Sequence, residues 1–180
     1  MTGWQNTARQ LLRGCEAFSL TVGRLVSWLA LAVVLVMMTS VVLRYGFGVG
    51  SIALQESVLY LHATLFVLGA GYTLARNDHV RVDIFYQRMS QQARARVDLL
   101  GSLLLLLPLA ITLFVMSLDY VQVSWARREG SAEAGGLPYL YVFKSLLLVL
   151  PVVLCIQGLA EALRALLTLT GGEPPARGDH

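Results

Sequence analysis

The side chains in this 180-residue chain that could bind a metal, carry a proton or attack an electrophile are few and scattered. Histidines occur at positions 62, 79 and 180, and cysteines at 15 and 155. A membrane haem usually takes two axial ligands, and a zinc ion takes three or four. Only His62 falls inside an apolar run, so no such set converges. Cys15 precedes the first apolar run and Cys155 lies within the last. Neither a CxxC motif nor a close pair exists, which makes both packing residues. The alternating glycines of "RYGFGVGSIALQE" favour a turn; with no preceding strand and no G-x-G-x-x-G spacing, they are not a phosphate cradle. No Ser/His/Asp or paired-carboxylate arrangement can be assembled within the apolar runs, so no catalytic residue is expected. His62 is placed about two turns below an outer surface. Such a residue either marks a proton or ion path or hydrogen-bonds across helices, and the second is the commoner role.

The elements around these residues are dictated by hydropathy. The chain is 56% hydrophobic and only 14% charged, against roughly 25% charged in soluble domains. Leu25 to Leu43, Ser57 to Ala75 and Leu99 to Leu118 carry no charge. Ser145 to Ala160 is also uncharged and is extended backwards, past Lys144, by Leu137 to Phe143. About 20 apolar residues rising roughly 1.5 Å each match a hydrocarbon core of ~30 Å. The expected fold is therefore an all-α integral membrane protein with four transmembrane helices, at about 25–44, 56–75, 97–119 and 140–164. A membrane barrel would need strands of alternating hydropathy, which are absent. The first run exceeds a signal-peptide core and ends at Arg44-Tyr45 without a small-residue cleavage site, so it is expected to be retained.

Charge sets the orientation. Ten basic residues (Arg9, Arg13, Arg24, Arg76, Arg81, Arg88, Arg94, Arg96, Arg164 and Arg177) fall on one side of the four runs. Four fall on the other: Arg44, Arg127, Arg128 and Lys144. The positive-inside rule puts the first set, and both termini, in the cytoplasm.

Before the first run, Trp4, Ala8, Leu11, Cys15, Phe18, Val22 and Leu25 recur at steps of four and three. They form one helical face, with Arg9, Arg13, Glu16 and Arg24 off it. Residues 1–24 are read as an amphipathic helix lying in the cytoplasmic membrane interface; the alternative is an inward extension of the first span. Gly69 and Gly71 are candidates for close helix packing. Between spans two and three, "ARNDHVRVDIFYQRMS" sets Val80, Val82 and Ile84 against Arg81 and Asp83. Arg76, His79, Arg81 and Asp83 are candidates for a cytoplasmic brace or a local clasp, with arginines facing anionic phospholipids. Ser90 reads as the N-cap of the third helix, which then starts well before its apolar run. Pro108 should kink that helix. Trp125, Tyr120, Tyr139 and Tyr141 fit an outer aromatic belt. Residues 169–180 are expected to be disordered.

Four apolar spans without a midplane polar site do not make a self-sufficient carrier. The residues describe a module that holds or extends another membrane protein, with no role for nucleic acid. A four-helix oxidoreductase subunit and a self-contained small channel are the rival classes.

The stretch "LQESVLYLHATLFVLGAGYTLARNDHVRVDIFYQRMS", Leu54 to Ser90, resembles the small membrane subunit, DctQ-like, of tripartite ATP-independent periplasmic (TRAP) transporters. Several further features occur in that family's order. They are Arg44-Tyr45, Gln55-Glu56, the His79-Val80-Arg81-Val82-Asp83 stretch, Ser124-Trp125, Glu129-Gly130-Ser131, Gly136-Leu137-Pro138, Lys144 and Gln157-Gly158. The resemblance covers roughly residues 20 to 168. It implies an importer in the bacterial cytoplasmic (inner) membrane. There a periplasmic substrate-binding protein captures an organic anion, commonly a carboxylate. A large multi-span membrane subunit carries substrate and sodium by an elevator-like motion, and the small subunit packs on that subunit's stationary scaffold. The resemblance therefore implies no cofactor on this chain and sodium in the large partner. Arg44, Arg127, Arg128 and Lys144 are candidates for docking the binding protein; lipid anchoring, or an internal pair with Glu129 or Glu133, is the alternative.

Overall fold

The computed structural model describes residues 3–76, 86 and 88–171, without the side chains of residues 3–5 and 75. His79, Arg81 and Asp83, and residues 172–180 of the expected disordered tail, lie outside the described residues. Every regular element among the described residues is helical. The four long helices are α1 (Gly3–Gly46), α2 (Ile52–Arg76), α3 (Gln91–Arg127) and α4 (Leu140–Leu169), and each is long and apolar enough to cross a membrane.

The helices are not arranged as a symmetric bundle. α4 is the hub: α1, α2 and α3 all pack on it, α1 also packs along α2, and α3 rests mainly on α4 alone. That position explains why α4 carries the largest share of buried residues, including Pro151, Gln157, Gly158, Ala160, Ala165 and Leu167. The other helices keep long apolar faces open, such as Leu25, Leu31 and Leu35 on α1 and Leu104, Leu105 and Met116 on α3. Those faces suit hydrocarbon rather than water.

α1 runs unbroken for 44 residues, about 66 Å at 1.5 Å per residue. There is no break near residue 24, so the expected amphipathic segment and the first span share one helix. The buried side of its inner half also differs from the face read by periodicity. Ala8, Leu12, Glu16 and Ser19 are buried, while Leu11, Phe18 and Leu25 are exposed. Ala8 and Leu12 join Ala160 and Leu167 in a small core, flanked by Cys15 and Leu163. The buried strip thus lies beside the apolar one and includes an acid.

Ser90 caps α3 as expected: its hydroxyl accepts from the Ala93 N–H at 3.3 Å, and the helix begins at Gln91. Pro108 is accommodated by a π turn over Ser102–Leu106. Proline has no N–H and its ring presses on the carbonyl four residues earlier. A widened turn just before it relieves both constraints.

Two glycines allow the helices to close on one another. A Cβ at Gly23 would stand 2.2 Å from Cδ2 of Tyr72, and one at Gly71 would stand 2.4 Å from Cγ1 of Val153. Gly71 is therefore a packing glycine between α2 and α4. Gly69 is not: a Cβ there would meet nothing within 4 Å. Gly23→Val should lower stability by about 1–3 kcal/mol through overpacking, read as a lower melting temperature in detergent. Gly69→Ala should leave it unchanged or slightly raised. Equal effects of the two substitutions would contradict this packing.

Candidate functional site

Polar chemistry is concentrated at the two ends of the bundle. At the end of the bundle remote from Gly3 and Leu169, called the outer end below, the loop between α3 and α4 is tied down by two carboxylates. Glu56, at the start of α2, accepts from the hydroxyl of Ser131 and, at 2.6 Å, from the backbone N–H of Leu137. The Ser131 N–H donates to the Leu137 carbonyl at 2.9 Å. Gly136 is needed for this closure, because a Cβ there would meet Ser131 Oγ at 2.4 Å and Glu56 Oε1 at 2.9 Å. Glu56 thus pins a distant loop to α2 at two positions, Ser131 and Leu137.

Glu129 makes the second tie. Its Oε2 accepts from Lys144 Nζ at 2.5 Å and from Ser124 Oγ at 2.7 Å. Lys144 also lies over the Tyr120 ring, 4.2 Å from its centroid, a cation–π contact. Trp125 Nε1 donates to Ser145 Oγ at 2.8 Å, and the Trp125 and Tyr141 rings meet edge to face at 4.8 Å. The expected aromatic belt is therefore also an internal lock between α3 and α4. α3 ends at Arg128, which adopts a left-handed conformation with φ 45°. The Glu129 N–H then reaches the Ser124 carbonyl at 3.1 Å. Most helices that close this way use glycine, since a Cβ costs about 1–2 kcal/mol there.

These ties sort the outer basic residues. Lys144 is committed to Glu129, whereas Arg44, Arg127 and Arg128 are exposed. Many residues that carried the family resemblance are those making the lock, namely Glu56, Ser124, Trp125, Glu129, Ser131, Leu137 and Lys144.

At the inner end, Glu16 of α1 pairs with Arg164 of α4. One turn deeper, Ser19 donates to Gln157 Oε1 at 3.1 Å. Tyr86 donates to Asp98 at 2.6 Å, and Arg94 stacks over Tyr86 with its guanidinium 5.4 Å from the ring centroid. Glu161 is buried on α4 and shares a cavity of about 340 Å³ with Asp98, Tyr86 and Ser102. Sequence reading placed Glu16 off the packed face and gave Glu161 and Asp98 no role. The signal for the first was its spacing from Leu12 and Ser19, by four and three residues.

Of the candidate brace, Arg76 is described: its Nη1 donates to the Tyr72 hydroxyl at 2.8 Å. His62 lies on the outward side of α2, exposed and without a hydrogen-bond partner among the described residues. The expected bond across helices is therefore not made among the described residues. No group of three or more metal-ligating side chains comes together among the described residues.

The carboxyl of Glu129 is held below its ordinary value of 4.5, first by the hydrogen bond from Lys144 and then by that from Ser124. A depressed carboxylate stabilises the fold above its unfolded pKa, and this contribution is lost as pH falls through the folded value. The melting temperature in detergent should therefore hold from neutral pH down to about 5 and drop below about 4.5. Glu129→Gln should melt lower at pH 7 and show a shallower acid drop. An unchanged acid drop would refute the tie.

A family model described as tripartite ATP-independent periplasmic transporters, DctQ component, matches residues 16–168. No curated protein and no solved structure matches the chain.

Proposed function

Because the chain belongs to the DctQ-component family of tripartite ATP-independent periplasmic transporters, and so is a transporter's small membrane component, we propose that it is the small permease subunit of a sodium-coupled importer of organic anions, chiefly carboxylates. Its partners are a large multi-span membrane subunit, which holds the substrate and sodium, and a periplasmic substrate-binding protein. Its place is the bacterial cytoplasmic membrane, with both termini inside, as the ten-to-four division of basic residues supports.

The observation that carries this reading is the family match across residues 16–168 together with four long apolar helices. Within the complex this subunit packs on the stationary scaffold. A substrate carrier that moves across the membrane needs a fixed body to move against. Four helices tied at both ends by side-chain bonds would widen that body and resist its tilting. Arg76, His79, Arg81 and Asp83 brace it on the cytoplasmic side, against headgroups or the large subunit.

On the outer side, Arg44, Arg127 and Arg128 offer positive charge to the binding protein, which would speed encounter. The left-handed φ of Arg128 supports its inclusion. A side chain kept where glycine costs less has a use beyond closing the helix.

In proteoliposomes, sodium-driven uptake of the carboxylate captured by the cognate binding protein should require the large subunit together with this chain, and this chain alone should give no flux. Arg128→Gly should raise the melting temperature, by relieving about 1 kcal/mol of backbone strain, yet slow uptake at limiting binding protein. Flux through the chain alone would refute the subunit reading. Full uptake with Arg128→Gly would refute the docking role.

A further inference from the structure

One strip of α2 is left unused by the chain's own packing. Gln55, Leu59, His62, Phe66, Gly69 and Thr73 follow one another at steps of four, three, four, three and four. That spacing is the seam by which one helix packs against another. Gln55, Leu59, His62 and Phe66 are exposed, Leu59 by 53% and Phe66 by 68%. Gly69 faces open space. The strip borders a groove between α1 and α2. An inner hollow of about 460 Å³ lies between Gly23 and Ser27 of α1 and Gly69 and Thr73 of α2. An outer hollow of about 310 Å³ lies between Met37 and Arg44 of α1 and Gln55 and Val58 of α2. His62 lies between the two heights.

The depth of His62 decides what can fill the groove. It is ten residues past Ile52, the first residue of the 23-residue stretch of α2 that is long and apolar enough to cross a membrane. That is about 15 Å, half of a ~30 Å core. From mid-membrane so short a side chain does not reach the headgroups. Lipid tails offer it no hydrogen bond, and leaving it unpaired there is costly. The exposed large side chains of α3 between 103 and 116 are instead Leu, Ile, Val and Met, as a lipid-facing surface requires. A second copy of this chain related by a two-fold axis does not fit either. It would present the same concave groove, and two grooves face to face leave a gap where a ridge is needed.

We propose that this groove seats one transmembrane helix of the large membrane subunit, and that this helix carries a hydrogen-bonding side chain at mid-membrane height opposite His62. The proposal rests on the subunit reading above and adds the face that makes the joint. Gly69 then has the use its open surroundings deny it within this chain, since a partner backbone can approach closely there.

The test uses the full chain expressed with its large subunit. A photo-reactive benzoylphenylalanine replaces Leu59 or Phe66 in the groove, and Leu105 or Met116 on α3. Irradiation should link positions 59 and 66 to the large subunit and leave 105 and 116 unlinked. His62→Leu should reduce the large subunit recovered with this chain about three- to tenfold, in keeping with the modest strength of hydrogen bonds between membrane helices. His62→Gln, which keeps a donor and an acceptor, should restore most of it. Recovery of the large subunit with links only at 105 or 116 would overturn the proposed face and leave the subunit reading standing. So would a link from 59 or 66 to a second copy of this chain, or unchanged recovery with His62→Leu. Failure to recover any large subunit with the unaltered chain would overturn both.

Discussion

Hydrocarbon supplies no hydrogen bonds, so each polar group placed in it must find a partner inside the protein. That constraint organises the chain. Several hydroxyls within the helices turn back on their own backbones: Thr39 donates to the Leu35 carbonyl, Ser57 to that of Ala53 and Thr64 to that of Tyr60. Side chains that could bind elsewhere are gathered at the two ends. There Glu56 and Glu129 hold the outer loop, and Glu16 holds Arg164. Between the ends the helices pack through small residues, with Gly23 under Tyr72 and Gly71 under Val153. The hub position of α4 follows, since it supplies partners at both ends: Lys144 outside, Gln157 and Arg164 inside.

Much of this was legible in the residues. Uninterrupted apolar runs mark the four membrane helices because bilayer thickness sets a length that few other structures require. The Ser90 cap was legible because its chemistry is local: a hydroxyl three residues ahead of a free N–H. The outer lock was half legible. Motifs around Glu129 and Lys144 were visible, and an internal pair with Glu129 or Glu133 was one of three readings of Lys144, beside docking and lipid anchoring. The tie from Glu56 to Leu137 spans 81 positions, and nothing in either local pattern announces the other. Glu16 was misplaced for a related reason. Periodicity finds the most apolar face, but in a membrane protein that face can meet lipid while an adjacent, more polar strip meets protein. Exposed Leu11, Phe18 and Leu25 beside buried Leu12 and Glu16 show the inversion.

Function follows from where the polar groups are and how they are used. Among the described residues, the carboxylates Glu16, Glu56 and Glu129 hold helices and one loop in place, while Arg44, Arg127, Arg128 and His62 stay exposed. The outer lock fixes the height and direction of Arg127 and Arg128. The inner pairs fix where α1 leaves the bundle. In the proposed complex the subunit would contribute stiffness at both ends of the bundle, and the groove of α1 and α2 would supply the contact through which that stiffness is passed on.

The central claim is that this chain works as one part of a larger membrane complex. The most direct test is native mass spectrometry of the C-terminally tagged chain, released from its own membranes with a mild detergent. The account predicts a particle containing one copy of this chain and one copy of a large multi-span membrane subunit. Recovery of this chain by itself, under conditions that leave other membrane complexes intact, would contradict it.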